Sequence, residues 1–158
     1  MGNEERLPPL EVRIRELCPN AKPGEFVEKS PRDTLERAYN CVAWAMGFDD
    51  RWWQPAALDL GYYWPDQAAD STRLAVYLHA FRQLGFTECE DESLEDGFER
   101  IVVFADDNGE FTHVARQLAD GRWTSKLGGW EDIDHDLRAL EGGKYGRIAC
   151  FMRRPRSG

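Results

Sequence analysis

RIVVFADDNGEFTHVARQ, Arg100 to Gln117, sets two β-rich segments on either side of Asn108-Gly109. Both central residues of a two-residue type I′ turn need positive φ, and Asn-Gly tolerates it best, so the stretch predicts a β-hairpin. A turn of that length pairs Asp107 with Glu110 and, counting back, Phe104 with His113. Strand alternation then puts Phe111, His113, Ala115 and Gln117 on one face, and Thr112, Val114 and Arg116 on the other. Asp120-Gly121 offers a second turn in ARQLADGRWTSK, and YGRIACFMR supplies a last strand after EGGK. Residues 98–153 are therefore expected to form a three- or four-stranded antiparallel sheet.

Upstream the pattern is helical. Ser30-Pro31-Arg32-Asp33 has a serine cap, a proline at the first helical position and an aspartate three residues after the cap. From Pro65 to Gly85, Leu74, Tyr77, Leu78, Phe81 and Leu84 recur at offsets of three and four, and the run ends at a glycine. His79 lies one step off that stripe and reads as a partly exposed helix histidine, not a ligand. LEVRIRELCP stops at Pro19, and NAKPGEFVEKSP has the Pro and Gly content of a connector. Helices first and strands second predict an α+β domain spanning 1–158, with an N-terminal helix and connector over 1–30, a helical half over 31–85 and the sheet over 98–153.

Composition removes several function classes. The chain has 158 residues, 42% of them apolar, which suits one globular core. Its 20 Lys+Arg against 29 Asp+Glu give a net charge of -9, a sign that repels phosphate backbones and anionic lipids, so nucleic acid and membrane are not expected as partners. The opening MGNEERLPPLEVRI has charges where a secretory leader needs an apolar stretch, and a cytoplasmic location is expected unless a dedicated system delivers the protein outward. Cysteines at 18, 41, 89 and 150 show no C-x-x-C spacing. Reduced thiols, no metal site and no cofactor are expected.

One of those thiols sits in RAYNCVAWAMG, residues 37–47. Asn40 is a good N-cap, and a helix that begins there puts Cys41 in its first turn, where unpaired amides favour a thiolate. An unbroken helix from Pro31 to Met46 would instead leave Cys41 in mid-helix as a small core residue. A nucleophilic cysteine needs a base, and His113 in the middle of a strand can supply one.

YNCVAWA followed by THVARQ resembles the papain-like Cys/His hydrolases of the NlpC and CHAP type. With the later SKLG and DIDH, the chain is similar to a bacterial group of that superfamily in which YNC, H-x-A, SK-x-G and a later histidine recur; the likeness spans Tyr39 to His135. The resemblance implies a papain-like fold, N-terminal helices packed on the sheet, and hydrolysis of a peptide or amide, possibly in a protein, through an acyl-enzyme. It implies Cys41 as nucleophile and His113 as base, with the Cys41 amide as one oxyanion donor.

The group that orients His113 depends on the second turn. A two-residue Asp120-Gly121 turn pairs Ala115 with Lys126 and puts Lys126 on the His113 face, whereas a three-residue turn with a glycine bulge brings Ser125 there. His135 is the later histidine that would complete the catalytic set with Ser125, or else an exposed residue at a helix start. Asn40, Trp52, Trp53 and Lys126 are the residues expected to meet substrate, the tryptophans as an aromatic wall and Lys126 as a clamp for an anionic group. Gln117 reads as a surface glutamine. The alternative functions are a non-catalytic interaction module that presents its aromatics, and a regulatory or immunity partner whose acidic surface meets a basic protein. The oligomeric state is not written in the sequence.

Overall fold

The strand Phe98–Ala105, β3, organises the molecule: Ile101, Val102, Val103 and Phe104 are buried on both faces of it, as a continuous apolar run demands. In the computed structural model, which describes residues 16, 18–19, 26–28, 40–47, 53, 55, 64–65, 72–126 and 132–156, β3 lies between β4 (Phe111–Gln117) and β7 (Arg147–Pro155). Beyond β4 come β5 (Trp123–Lys126), β6 (Asp132–His135) and β1 (Phe26–Glu28), and beyond β7 comes β2 (Thr87–Cys89). The order is β1-β6-β5-β4-β3-β7-β2, and every pairing is antiparallel.

Two cores sit on the two faces. Ile101 and Val103, with Val114 and Met152, meet α1 (Cys41–Ala45) and α2 (Leu74–Gln83), which contribute Val42 and Phe81. Val102 and Phe104 look the other way, with Ala115, Trp123 and Ile133, and are covered by Leu140 and Tyr145. Each fully buried aliphatic or phenylalanine side chain contributes about 1.5–3 kcal/mol, so β3, which serves both cores, is the costliest strand to disturb. No helix among the described residues is long and apolar enough to cross a membrane.

This is not the expected α+β, papain-like architecture of N-terminal helices on three or four strands. The described residues are mainly β: seven strands, one ten-residue helix, the five-residue α1 and a single 3-10 turn at Leu137–Leu140. The extra strands lie where the sequence predicts something else. β1 falls in the connector, β2 at the start of the acidic loop, and β6 at the expected helix start around His135. The helix expected from Pro65 begins only at Leu74, because the chain ahead of it is spent on the hairpin tip. Arg73 is extended (φ -66, ψ 149) and bridges Glu110, Leu74 N–H donates to Gly109, and Phe111 N–H donates to Thr72. The helix start at Ser30-Pro31 lies outside the described residues.

Both hairpins turn through three residues, not two. Asp106 N–H donates to Glu110 O (3.0 Å) and Gly109 N–H to Asp106 O (3.2 Å), with Gly109 at φ +78; Leu118 and Arg122 close the second turn at 2.7 Å, with Gly121 at φ +91. A type I turn followed by a left-handed glycine is the usual three-residue solution. Asp106 and Asp120 brace the tips by accepting from Asn108, Glu110 and Arg122 amides at 2.9–3.0 Å. The first slip is undone by a bulge between Phe104 and Ala105, so Phe104 still faces His113. Phe111, left on the far side of that bulge, stacks on Tyr77 in the helix-side core and does not share the His113 face as expected.

Gly146 is the tightest backbone position. It has φ +78, and an added Cβ would run into the Ala105 carbonyl, whereas one at Gly121 meets nothing within 4 Å. Gly121→Ala is expected to cost about 1–2 kcal/mol, the left-handed penalty alone, and Gly146→Ala at least about 3 kcal/mol with overpacking added. Urea denaturation of both variants checks this, and equal losses would show that the loop yields.

Candidate active site

α1 starts where its cap says it should. Asn40 is extended (φ -120, ψ -173), and its Oδ1 accepts from Ala43 N–H at 3.2 Å, which rules out a helix running unbroken through position 40. The same amide holds a second segment. Asn40 Oδ1 accepts from Trp53 N–H (3.1 Å) and Nδ2 donates to Trp53 O (2.7 Å). Asn40 is buried and builds the site from beneath, with a role in positioning the chain on both sides of Cys41.

β4 and β5 are laddered only at Arg116↔Thr124 and Gln117↔Trp123. Past Thr124 they part, and Cys41 is set at the parting: the amides of Val114, Val42 and Cys41 itself are directed at its sulfur. These donors stabilise a thiolate, but burial outweighs them and pushes the thiol up to about 11. The low-pKa thiol expected from a helix start is therefore not found. A five-residue helix brings few aligned dipoles, and the sulfur has lost much of its water although the residue as a whole is only partly buried.

On the other face, Ser125 spans the same parting. Its Oγ lies 2.9 Å from His113 Nε2 and 2.6 Å from His135 Nε2, and His135 Nδ1 lies 2.8 Å from the Asp136 carbonyl. All three side chains are at most 1% exposed. The carbonyl can only accept, so His135 carries its proton on Nδ1 and accepts on Nε2; Ser125 then donates to His135 and accepts from His113 Nε2–H. The bond order leaves Nδ1 of His113 as the basic nitrogen. Burial, helped by the neighbouring His135, holds His113 down to about 3, and burial likewise holds His135 down to about 4, so both are neutral at pH 7. The glycine-bulged turn makes this chain possible, since a register one residue off would bring Lys126 to His113. Lys126 instead shares the α1 face of β5 with Thr124, which accepts from Trp44 Nε1 at 3.1 Å, and is fully buried.

His113, Ser125 and His135 are thus brought together, while Cys41 adjoins them through the β4 backbone. No hydrogen bond joins Cys41 to His113 among the described residues. Trp53 is 5% exposed and belongs to the helix-side core, not to the wall of a cleft. Trp52 lies outside the described residues. His135 is buried in β6, not exposed at a helix start, and Gln117 is buried too, donating to Glu92 O at 2.8 Å. Tyr145 is a site residue that no motif in the sequence marks. Its ring stacks on His113 at 4.2 Å and 18°, its carbonyl accepts from Thr112 Oγ1, and its phenol, like that of Tyr77, would feel a charge on Cys41. The GGKYG loop around it was the available signal, a glycine-rich turn that carries an aromatic residue.

A buried polar chain at a strand parting, beside a cysteine at a capped helix start, is the arrangement this fold presents. The chain belongs to the family described as Domain of unknown function (DUF7689), whose model matches residues 31–153. No curated protein and no solved structure matches it.

Neutral burial of two histidines makes stability depend on pH. Both are held below their ordinary 6.5, so below about pH 6.5 the unfolded chain binds protons that the folded one refuses. Their contribution is fully present above that pH and is lost as pH falls toward 4 and 3, at about 1 kcal/mol per pH unit for each imidazole. Urea midpoints measured at pH 7, 6 and 5 should fall steadily, and His135→Gln should flatten the decline. A midpoint independent of pH in the parent would contradict the neutral, buried chain.

Proposed function

We propose that this protein is a cysteine-dependent hydrolase of peptide or amide bonds, with Cys41 as nucleophile and His113 as base. The observation that carries this reading is the buried His113–Ser125–His135 chain ending on the Asp136 carbonyl. It gives His113 a defined tautomer one strand position from Val114, whose amide is directed, with those of Val42 and Cys41, at the Cys41 sulfur. Three buried polar side chains in one sheet are costly unless fully bonded, and these are bonded in a single direction. The resemblance of YNC, H-x-A and the later histidine to Cys/His hydrolases supports the same roles.

With thiol and imidazole both neutral at rest, the nucleophile forms as it attacks. The S–H proton passes to His113 Nδ1 while sulfur bonds to the substrate carbonyl carbon. The amide C–N bond then breaks, and the amine leaves with that proton, giving a thioester. Water attacks the thioester, His113 takes its proton, and the carboxylic acid departs as the thiol is restored. As His113 becomes cationic, its Nε2–H bond to Ser125 strengthens, and Ser125 leans on His135. The Cys41 amide at the helix start would be one donor to the oxyanion that develops on the attacked carbonyl.

A second reading is a non-catalytic interaction module in which the polar chain only staples β4, β5 and β6 together. It is favoured by the thiol held near 11 and the missing Cys41–His113 hydrogen bond. Acylation of the full chain by p-nitrophenyl acetate at pH 7, a carbonyl on which the sulfur can form its bond as the proton leaves, read by peptide mass spectrometry, separates the two. The hydrolase reading expects Cys41 to be modified ahead of Cys18, Cys89 and Cys150, with the rate falling at least about tenfold in His113→Ala, the size of a modest general-base effect. Ser125→Ala should cut the rate less, since it touches only the orientation of the base. Modification of Cys41 no faster than the others, and unchanged in His113→Ala, would leave the module reading standing.

A further inference from the structure

A groove of about 490 Å³ lies beside the turn between β4 and β5, and Cys41, His113, Ser125 and His135 do not line it. Two arginines do, Arg116 from β4 and Arg156 just past β7. In this acidic chain the other arginines facing that end are neutralised: Arg153 reaches Glu95 at 2.5 and 2.7 Å, Arg100 reaches Glu95 at 3.3 Å, and Arg154 bonds Glu99. Arg116 and Arg156 close no ion pair among the described residues, although the charges of Glu99 and Asp134 act on Arg116. Arg116 lies 5.9 Å from the Trp44 ring, and its buried Nε–H finds no acceptor. A buried N–H without a partner is rare and calls for an explanation.

The rest of the lining narrows the occupant. Glu95 and Glu99 are already engaged by Arg153 and Arg154, so the carboxylates left to oppose an anion are Asp96 in the lining and Asp134, whose charge reaches Arg116. Leu94, Leu118 and Ala119 add apolar wall, and Leu94, 53% exposed, is the exposed large apolar side chain of the described residues. An inorganic anion would satisfy the arginines and waste this wall, and an aspartate or glutamate side chain has no apolar group on the same residue. A C-terminal residue with an aliphatic side chain offers both from a single Cα.

We propose that this groove binds the C-terminal carboxylate of a peptide whose last residue is aliphatic, with Arg116 and Arg156 holding the carboxylate and Leu94 and Leu118 the side chain. Arg116 and Val114 share one face of β4, two residues and about 7 Å apart, so a peptide anchored there is brought near the sulfur. That consequence, unlike the binding, rests on Cys41 being the nucleophile.

The test is an amide-resolved NMR titration of the full chain with N-acetyl-leucine, N-acetyl-leucinamide and inorganic phosphate. N-acetyl-leucine should give saturable shifts at Gly97, Leu118, Ala119 and Arg156, the amide and phosphate should bind at least tenfold more weakly, and Arg156→Gln should weaken N-acetyl-leucine binding by a similar factor. Arg156 is exposed at the chain end, so this variant folds even where Arg116→Gln does not. Cys41→Ser should bind as the parent does, which separates this proposal from the catalytic one. No saturable shift at these residues, equal binding of the amide, or phosphate binding as well as N-acetyl-leucine overturns it.

Discussion

Everything on the far face of the sheet depends on the turn between β4 and β5 having three residues. Gly121 at φ +91 accepts the left-handed conformation that ends the turn, and this single residue of length decides which letter of Trp-Thr-Ser-Lys lies across from His113. With Arg116 opposite Thr124, alternation gives Ser125 to the histidine side and Lys126 to the helix side. The other register would set an ammonium against the imidazole, where it would oppose any protonation of His113 and could not donate to one histidine while accepting from the other as Ser125 does. The turn therefore selects between a self-consistent hydrogen-bonded chain and an electrostatic conflict, through backbone geometry alone.

The chain it selects is directional because one end is a backbone carbonyl. Asp136 O cannot donate, so the tautomer of His135 is settled, then the hydroxyl direction of Ser125, then the tautomer of His113. Each link also ties a different strand, β4 to β5 and β5 to β6, where the β4–β5 ladder has only two pairs. The hydrogen bonds that would have zipped β4 to β5 are replaced by side-chain bonds, and the freed Val114 amide turns to Cys41. Opening the sheet and supplying the polar chain are thus one structural event, and the buried residues that hold the strands together are the ones that define a basic nitrogen.

What was legible in the sequence was whatever a few neighbouring residues decide. Asn40 reads as a cap because capping is local, and it caps; Asn108-Gly109 reads as a turn, and one is there. The pairing of Phe104 with His113 was reached although the turn was misjudged, since a bulge restores the register that the longer loop removed. What was lost depends on distance. β1, β2 and β6 are three or four residues long, and with sequences such as TEC and DIDH they carry no alternation strong enough to separate them from loops, so a seven-stranded, mainly β molecule reads as α+β. The helix run from Pro65 was overextended because its periodicity says nothing of the hairpin tip that claims Thr72 and Arg73. The thiol was misjudged for the same reason: a helix start is visible in the letters, and the packing that desolvates the sulfur is not.

That desolvation bears on how such a site works. A thiol pushed up to about 11, across the β4 backbone from an imidazole held near 3, stores no ion pair at neutral pH. Reactivity then has to come from what enters. On the proposed hydrolase reading, a bound carbonyl that accepts negative charge on its oxygen as sulfur attacks would let the proton move to His113 without a free thiolate. The burial that counts against Cys41 as a resting nucleophile therefore also strengthens each dipole around it, because the same low dielectric that penalises the isolated anion magnifies the field of its donors.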